Sequence, residues 1–255
     1  MNLRLPRLAA ALVLATTTAA AAAADLKVFS TTALTEIWHE LKPKFEARGH
    51  KLELALQPSG ALAKRVLGGE AGDAIVTTTV GLEPLDKAGK VAAGTTRALA
   101  SSGMGVAVLK GAPKPDISTP EAFKRTLLAA RSVAYSDPAG GGASGVIFAK
   151  VLKDLGIADQ VAAKAKLGSG IPNAQFLVKG EADIAIQQIP ELMVVPGIDI
   201  VGPLPAPLQT VTSFATAVLA GSKHPAEARA LVDFLASPET LALLKSRGFD
   251  VKPQP

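Results

Sequence analysis

The sequence predicts an α/β fold of mostly parallel sheets covered by helices, divided into two lobes that the chain crosses between twice. Three observations lead there. A unit of short apolar strand, hydroxyl-rich turn and amphipathic helix repeats along the chain, as in strand–helix–strand folds. Of the 255 residues, 48% are apolar and 19% charged, which supplies a core and excludes a disordered chain. Two linker-like stretches interrupt the repeat, Ser101-Ser102-Gly103 and the proline-rich run from Gly202 to Pro207. One lobe is therefore left and later completed by the C-terminal part. The expected divisions are a leader at 1–24, a first lobe at 25–102 plus 206–255, and a second at 103–205.

The leader comes first. Arg4 and Arg7 precede a small and apolar run from Ala9 to Ala24, broken only by Thr16 to Thr18 and ending in four alanines before Asp25. This is the layout of a secretory signal peptide. A membrane span needs about 20 strongly apolar residues, which an alanine–threonine run is not. The mature chain is expected to start near Asp25, in the periplasm, without a lipid anchor because no cysteine follows.

Each element then has its own signal. Leu26 to Phe29 reads as a strand. Leu34, Ile37, Trp38, Leu41 and Phe45 fall at helical spacing, closed by Gly49. Leu52 to Leu56 alternates as a strand, and Pro58-Ser59-Gly60 opens a helix through Leu62 and Val66. Ala74 to Val76 is a third strand, ending in Thr77-Thr78-Thr79. Gly105 to Leu109 is another. Thr119-Pro120-Glu121 starts a helix with a cap, a proline in the first turn and an acid near the positive end. Val133 to Tyr135 is a strand leading through Gly140 to Gly142 into a helix that Ser144 is expected to cap. That helix buries Ile147, Phe148, Val151 and Leu152 and ends at Gly156. Pro172 begins a helix with Phe176 and Leu177 inward, stopped by Gly180. Ile184 to Ile186 and Ile198 to Val201 are strand candidates. His224-Pro225 and Ser237-Pro238-Glu239 start two C-terminal helices.

Composition excludes several functions. Without cysteine there are no disulfides, zinc-thiolate sites, iron–sulfur clusters or cysteine nucleophiles. His39, His50 and His224 are scattered, so neither a metal nor a cofactor is expected. The formal charge is +5; without Arg4 and Arg7 the 25 basic residues face 22 acidic ones, leaving +3. That is too small and dispersed for nucleic acid. No nucleophile elbow, phosphate-binding loop or dinucleotide fingerprint follows a strand.

What remains is the turns. In open α/β sheets ligands sit beyond the carboxyl ends of the strands, at helix starts. Those turns carry Ser30, Thr31, Thr32, Ser59, Thr77, Thr78, Thr79, Ser136, Ser144 and Ser169. Each alone is equally an ordinary cap or turn residue. Together they suit a small oxygen-rich anion, since a helix start offers unpaired N–H donors and about half a positive charge.

The segments Leu26 to Thr35, Ser59 to Lys64 and Gly72 to Thr77, followed by Asp137-Pro138, the Ser144 helix and Gly180 to Gln187, resemble in order the landmarks of periplasmic molybdate-binding-type solute receptors. The resemblance spans nearly the whole mature chain. It implies a two-lobed type II periplasmic binding fold, a hinge, and a monomer that captures a small anionic ligand for the membrane permease of an ABC importer. At the family's oxyanion site, one serine position falls on Ala33, a second is kept as Ser59, and the tyrosine position falls on Gln188. A glutamine pair with Thr31, Thr32 and Asn173 suits an organic di- or tricarboxylate better than molybdate. The implied ligand residues are Ser30, Thr31, Thr32, Ser59 and Thr77 from the first lobe, with Ser144, Asn173 and Gln188 from the second. The Gln187-Gln188 variant also resembles a periplasmic branch that includes aconitate isomerase. For that chemistry a base must move a proton, and the candidates are Glu191, Tyr135 and His39.

Overall fold

The computed structural model describes residues 24–140 and 142–251. The leader at 1–24, except Ala24, lies outside the described residues, as does Gly141. Nine strands form one continuous sheet. They are β1 (Asp25–Thr31), β2 (Lys51–Gln57), β3 (Ala74–Thr78), β4 (Arg97–Leu109), β5 (Val133–Ser136), β6 (Ala165–Gly168), β7 (Ile184–Gln188), β8 (Ile198–Pro203) and β9 (Val211–Val218). The order is β2-β1-β3-β9-β4-β7-β5-β6, with β8 beside β4. The α/β class is as the sequence predicts, and helices cover both faces.

The sheet has two halves that meet along β4. Arg97 to Gly103 pairs with β9, while Met104 to Leu109 pairs with β7 and β8. Outer strands are parallel, β1 with β2 and β3, β5 with β6 and β7. The ladders to β4 and β9 are antiparallel, including β3 with β9. The parallel ladders follow from the strand–helix–strand units, and the antiparallel ones from the chain passing over and returning.

Burial alternates along the strands because each face meets its own helices. In the first half Leu26 and Val28 pack with Trp38, Leu41 and Phe45 of α1 (Thr35–Glu46). Phe29 and Ile75 point the other way, to Leu62 and Val66 of α2 (Ser59–Leu67) and Leu82 and Leu85 of α3 (Thr79–Lys87). In the second half Val133, Tyr135 and Ile186 pack on Phe123 of α4 (Pro120–Ala129) and on Phe148 of α5 (Ala143–Asp154). Ala107, Ala134 and Ala185 face Leu177 of α7 (Gln175–Val178) and Leu192 of α8 (Ile189–Met193). The short α6 (Ala158–Ala162) lies between α5 and α7 in the chain. C-terminal α9 (Pro225–Leu235) and α10 (Pro238–Ser246) return to the first half, placing Leu231, Phe234 and Leu244 in its core.

Several expectations are corrected. Ser101 to Gly103 is not a loop but the middle of β4, which begins eight residues before the expected Gly105. Its polar residues sit in a strand because they are bonded there: Ser102 Oγ donates to Gln188 Oε1 at 2.5 Å. The return is likewise fixed, as Gln209 Oε1 accepts from the Met104 amide at 2.9 Å and its Nε2 donates to the Met104 carbonyl at 2.8 Å. Ser144 does not cap α5. It lies inside the first turn, Gly142 holds the cap position without a side-chain bond, and Ser144 Oγ instead pairs with Ser136 Oγ at 3.0 Å. Thr119 does cap α4, accepting from the Ala122 amide.

The start of α5 sits tightly on the end of β5. A Cβ on Gly145 would lie 2.6 Å from the Ser136 carbonyl oxygen and 3.0 Å from the Asp137 backbone. Gly145→Ala must push the helix start away, and we expect roughly 2 kcal/mol of lost unfolding free energy in a urea titration. An unchanged midpoint and slope would show that this approach is not rigid.

Candidate functional site

A cavity of about 410 Å³ opens between the two halves of the sheet, beyond the carboxyl ends of the central strands. The first half contributes Thr31 at the end of β1 with Thr32 and Ala33 after it, Ser59 at the start of α2, and Thr78 at the end of β3. The second contributes Ser136 at the end of β5, Ser144 of α5, Ser169 after β6, Gln187 and Gln188 at the end of β7, and Glu191 of α8. This is where open α/β sheets place ligands.

The starts of α2 and α5 line the cavity from opposite sides. Neither α2 nor α5 has a side-chain cap, so their first N–H groups are left for whatever enters. Elsewhere Thr78, Thr119 and Ser237 cap α3, α4 and α10, and of these the start of α3 also lines the cavity. The open starts supply N–H donors and partial positive charge without a cation. Among the described lining residues the one cation is Arg247, at the end of α10, paired with Glu40 beside it.

The structure distributes the sequence candidates unevenly. Thr31, Thr32, Ser59, Ser144, Gln188 and Glu191 line the cavity together. Ser30 does not; it is buried, and its Oγ accepts from the Trp38 indole N–H at 2.7 Å. Thr77 is buried behind the wall, its hydroxyl without a partner. Asn173 is fully buried one layer back, donating from Nδ2 to Ser136 Oγ at 3.0 Å. Gln188 reaches the cavity, but its amide is engaged at the crossing: Oε1 accepts from Ser102 and Nε2 donates to Thr212 Oγ1 at 2.8 Å.

Of the three candidate bases, one is inside. His39 is an exposed surface residue near Glu36. Tyr135 is buried against Phe148, ring centroids 5.0 Å apart, and burial, with Asp137 adding to it, pushes its hydroxyl further up. Glu191 Oε2 is buried without a hydrogen-bond partner among the described residues. Burial pushes this carboxyl from 4.5 up to about 7, against the opposing pull of the Gln187 side chain and the Gln188 backbone. Such a group both accepts and donates a proton near neutral pH.

Like Glu36 and Asp137, Arg247 is a charged lining residue that sequence reasoning missed. It follows a helix some two hundred residues from the first strand turns, and no local motif marks it. Thr78, Ser136 and Ser169 were legible only as members of hydroxyl-rich turns.

A family model for the bacterial extracellular solute-binding protein matches residues 26–250. The chain belongs to this family. The solute-binding scaffold accounts for the two sheet halves and the cavity between them. An aconitate isomerase from Pseudomonas sp is 38% identical over 262 residues, spanning 99% of this chain and 98% of that protein. The periplasmic molybdate-binding protein of Azotobacter vinelandii superposes with a TM-score of 0.71 at 20% identity, over 90% of this chain and 100% of that one. The sulfate-binding protein of Mycobacterium tuberculosis superposes with a TM-score of 0.69 at 19% identity, over 90% and 88%. These two structures share the fold. Among the described residues no helix is long and apolar enough to cross a membrane.

The raised carboxyl carries a stability consequence with a definite sign. Between pH 4.5 and about 7 the native state keeps a proton on Glu191 that the unfolded chain releases. Native stability from this group is therefore full below 4.5 and declines as pH rises to about 7. Relative to Glu191→Gln, wild type should lose on the order of 3 kcal/mol between pH 4.5 and 8 in urea unfolding. Parallel pH profiles for the two proteins would contradict the burial of this charge.

Proposed function

We propose that this protein is a periplasmic carboxylate-binding protein that isomerises its ligand, interconverting cis- and trans-aconitate with Glu191 as the proton carrier. The observation that carries this reading is the position of Glu191: a carboxyl on the cavity wall, denied hydrogen bonds on Oε2 and titrating near neutrality. The relative from Pseudomonas sp, similar along its whole length, supports the same ligand class.

The substrate side of the chemistry is an allylic proton shift. Ionised Glu191 takes a proton from the methylene carbon. The electron pair left there forms a new double bond to the central carbon as the old one opens. The neutral carboxyl then returns the proton to the former vinylic carbon, and no atom is gained or lost. The uncapped starts of α2 and α5, the hydroxyls of Thr31, Ser59 and Ser144, and Arg247 hold the carboxylates. Donors arriving from both halves bind the closed form more tightly than the open one, which is what drives closure. We further propose that residues 25–102 with 206–255 move as one lobe against 103–205, in a monomeric protein exported by its 1–24 leader.

A second reading keeps the capture and drops the turnover: the closed form delivers an organic di- or tricarboxylate to the permease of an ABC importer. The open starts of α2 and α5 favour it, since they serve binding alone equally well. Molybdate finds less support, because the Ala33 side chain on the wall offers no hydroxyl.

One experiment separates these readings. The mature protein is incubated with cis-aconitate and the trans isomer followed by proton NMR, with binding measured by calorimetry. Isomerisation is expected, rising with pH through about 7 as Glu191 ionises. Glu191→Gln should bind but turn over at least about 10²-fold more slowly. Tight binding without conversion would leave the capture reading, and stabilisation by molybdate alone would overturn the carboxylate class.

A further inference from the structure

Behind the cavity wall lies a polar network that the proposed chemistry does not use. Asn173 is fully buried and does not line the cavity, yet it touches three wall-forming segments. Its backbone N–H donates to Gln187 Oε1 at 2.6 Å, and Nδ2 donates to the Ile186 carbonyl at 3.2 Å and to Ser136 Oγ at 3.0 Å. Ser136 Oγ in turn pairs with Ser144 Oγ at 3.0 Å, and both serines line the cavity. A Cβ on Gly168 would collide with Asn173 Oδ1, so glycine at the end of β6 makes room for this amide.

The direction of these bonds follows from chemistry. A backbone carbonyl only accepts, so the Ile186 oxygen fixes which end of the Asn173 amide is nitrogen. Ser136 must therefore accept from Asn173. The two serines own two hydroxyl protons, and their mutual bond uses one. The other has no acceptor among the described residues and is left on the wall of the cavity. With an amide N–H fed in from behind, the pair becomes a net donor to the ligand.

We propose that Asn173 is a positioning residue that sets the polarity of the Ser136–Ser144 pair, so that this wall selects ligands presenting anionic acceptors. The inference rests on the reading of the cavity as an anion site and names the residue that gives its second-half wall a donor character.

The test is the affinity of Asn173→Asp for cis-aconitate and, in parallel, for molybdate, by calorimetry at pH 8 and pH 5. The substitution keeps shape and replaces the donor by an acceptor. At pH 8 the introduced carboxylate should draw the serine proton inward, and affinity relative to wild type should fall about tenfold or more, the scale of one reversed hydrogen bond to a charged group. At pH 5 a buried carboxyl is protonated and donates again, so affinity relative to wild type should recover. Damage to packing alone would not be repaired by acid. Should the variant fail to fold by near-ultraviolet circular dichroism, Ser136→Ala carries the test, with a similar loss expected and unchanged affinity overturning the inference. Wild type binding aconitate with Asn173→Asp indistinguishable at both pH values would overturn the polarity role and leave the carboxylate reading standing. The same acid-reversible loss seen with molybdate alone would uphold the polarity role and overturn the carboxylate reading. Binding of neither anion by wild type would overturn both.

Discussion

One strand belongs to two halves of the sheet, and the rest of the molecule is arranged around that constraint. Residues 97–103 of β4 pair with β9, and residues 104–109 pair with β7 and β8. At the changeover the backbone groups of Met104 are held by Gln209, and the hydroxyls of Ser102 and Thr212 are held by Gln188. Buried polar groups must be bonded, so these amides fix where one half ends and the other begins. The carboxyl ends of β1 and β3 then face those of β5 and β7 across a gap, and the cavity is that gap.

On the proposed reading the gap draws an anion without a ring of cations, past the acids Glu36 and Asp137 that share its lining. Uncapped helix starts and hydroxyl groups supply donors, and Arg247 adds a single charge at the edge. Glu191 occupies the same wall under opposite rules. Its Oε2 receives none of the donors offered to the ligand, so desolvation outweighs hydrogen bonding and the proton stays on to about pH 7. On the proposed reading a scaffold that holds an anion also contains a group able to act on it. Fold alone does not separate a receptor from an enzyme here; the proposal rests on one carboxyl and its surroundings.

Much of this was legible in the sequence, and the exceptions share a cause. The strand–turn–helix repeat locates the sheets, because its signals lie within a few residues of each other. Ser59, Ser144 and Glu191 lie at helix starts, where local pattern and cavity coincide. β9 and the first half of β4 were not legible, since Ser101, Ser102 and Thr212 look like linker residues until their partners across the crossing are known. Gln188 is marked by its place at a strand end, but nothing local tells that Ser102 and Thr212 engage its amide. Asn173 and Arg247 owe their positions to contacts far along the chain, the one behind Ser136 and the other beside Glu40. His39 and Tyr135 show the limit of residue type as a guide: a surface imidazole and a core phenol are titratable, yet neither lines the cavity.

The most direct test of the central claim is deuterium exchange into aconitate in heavy water, followed by mass spectrometry of the recovered ligand. If Glu191 carries a proton between ligand carbons, wild-type protein should isomerise aconitate, with carbon-bound deuterium to the extent that the carboxyl exchanges with solvent, and Glu191→Gln should do neither. Ligand that binds in the cavity and returns both unlabelled and unisomerised would contradict the account.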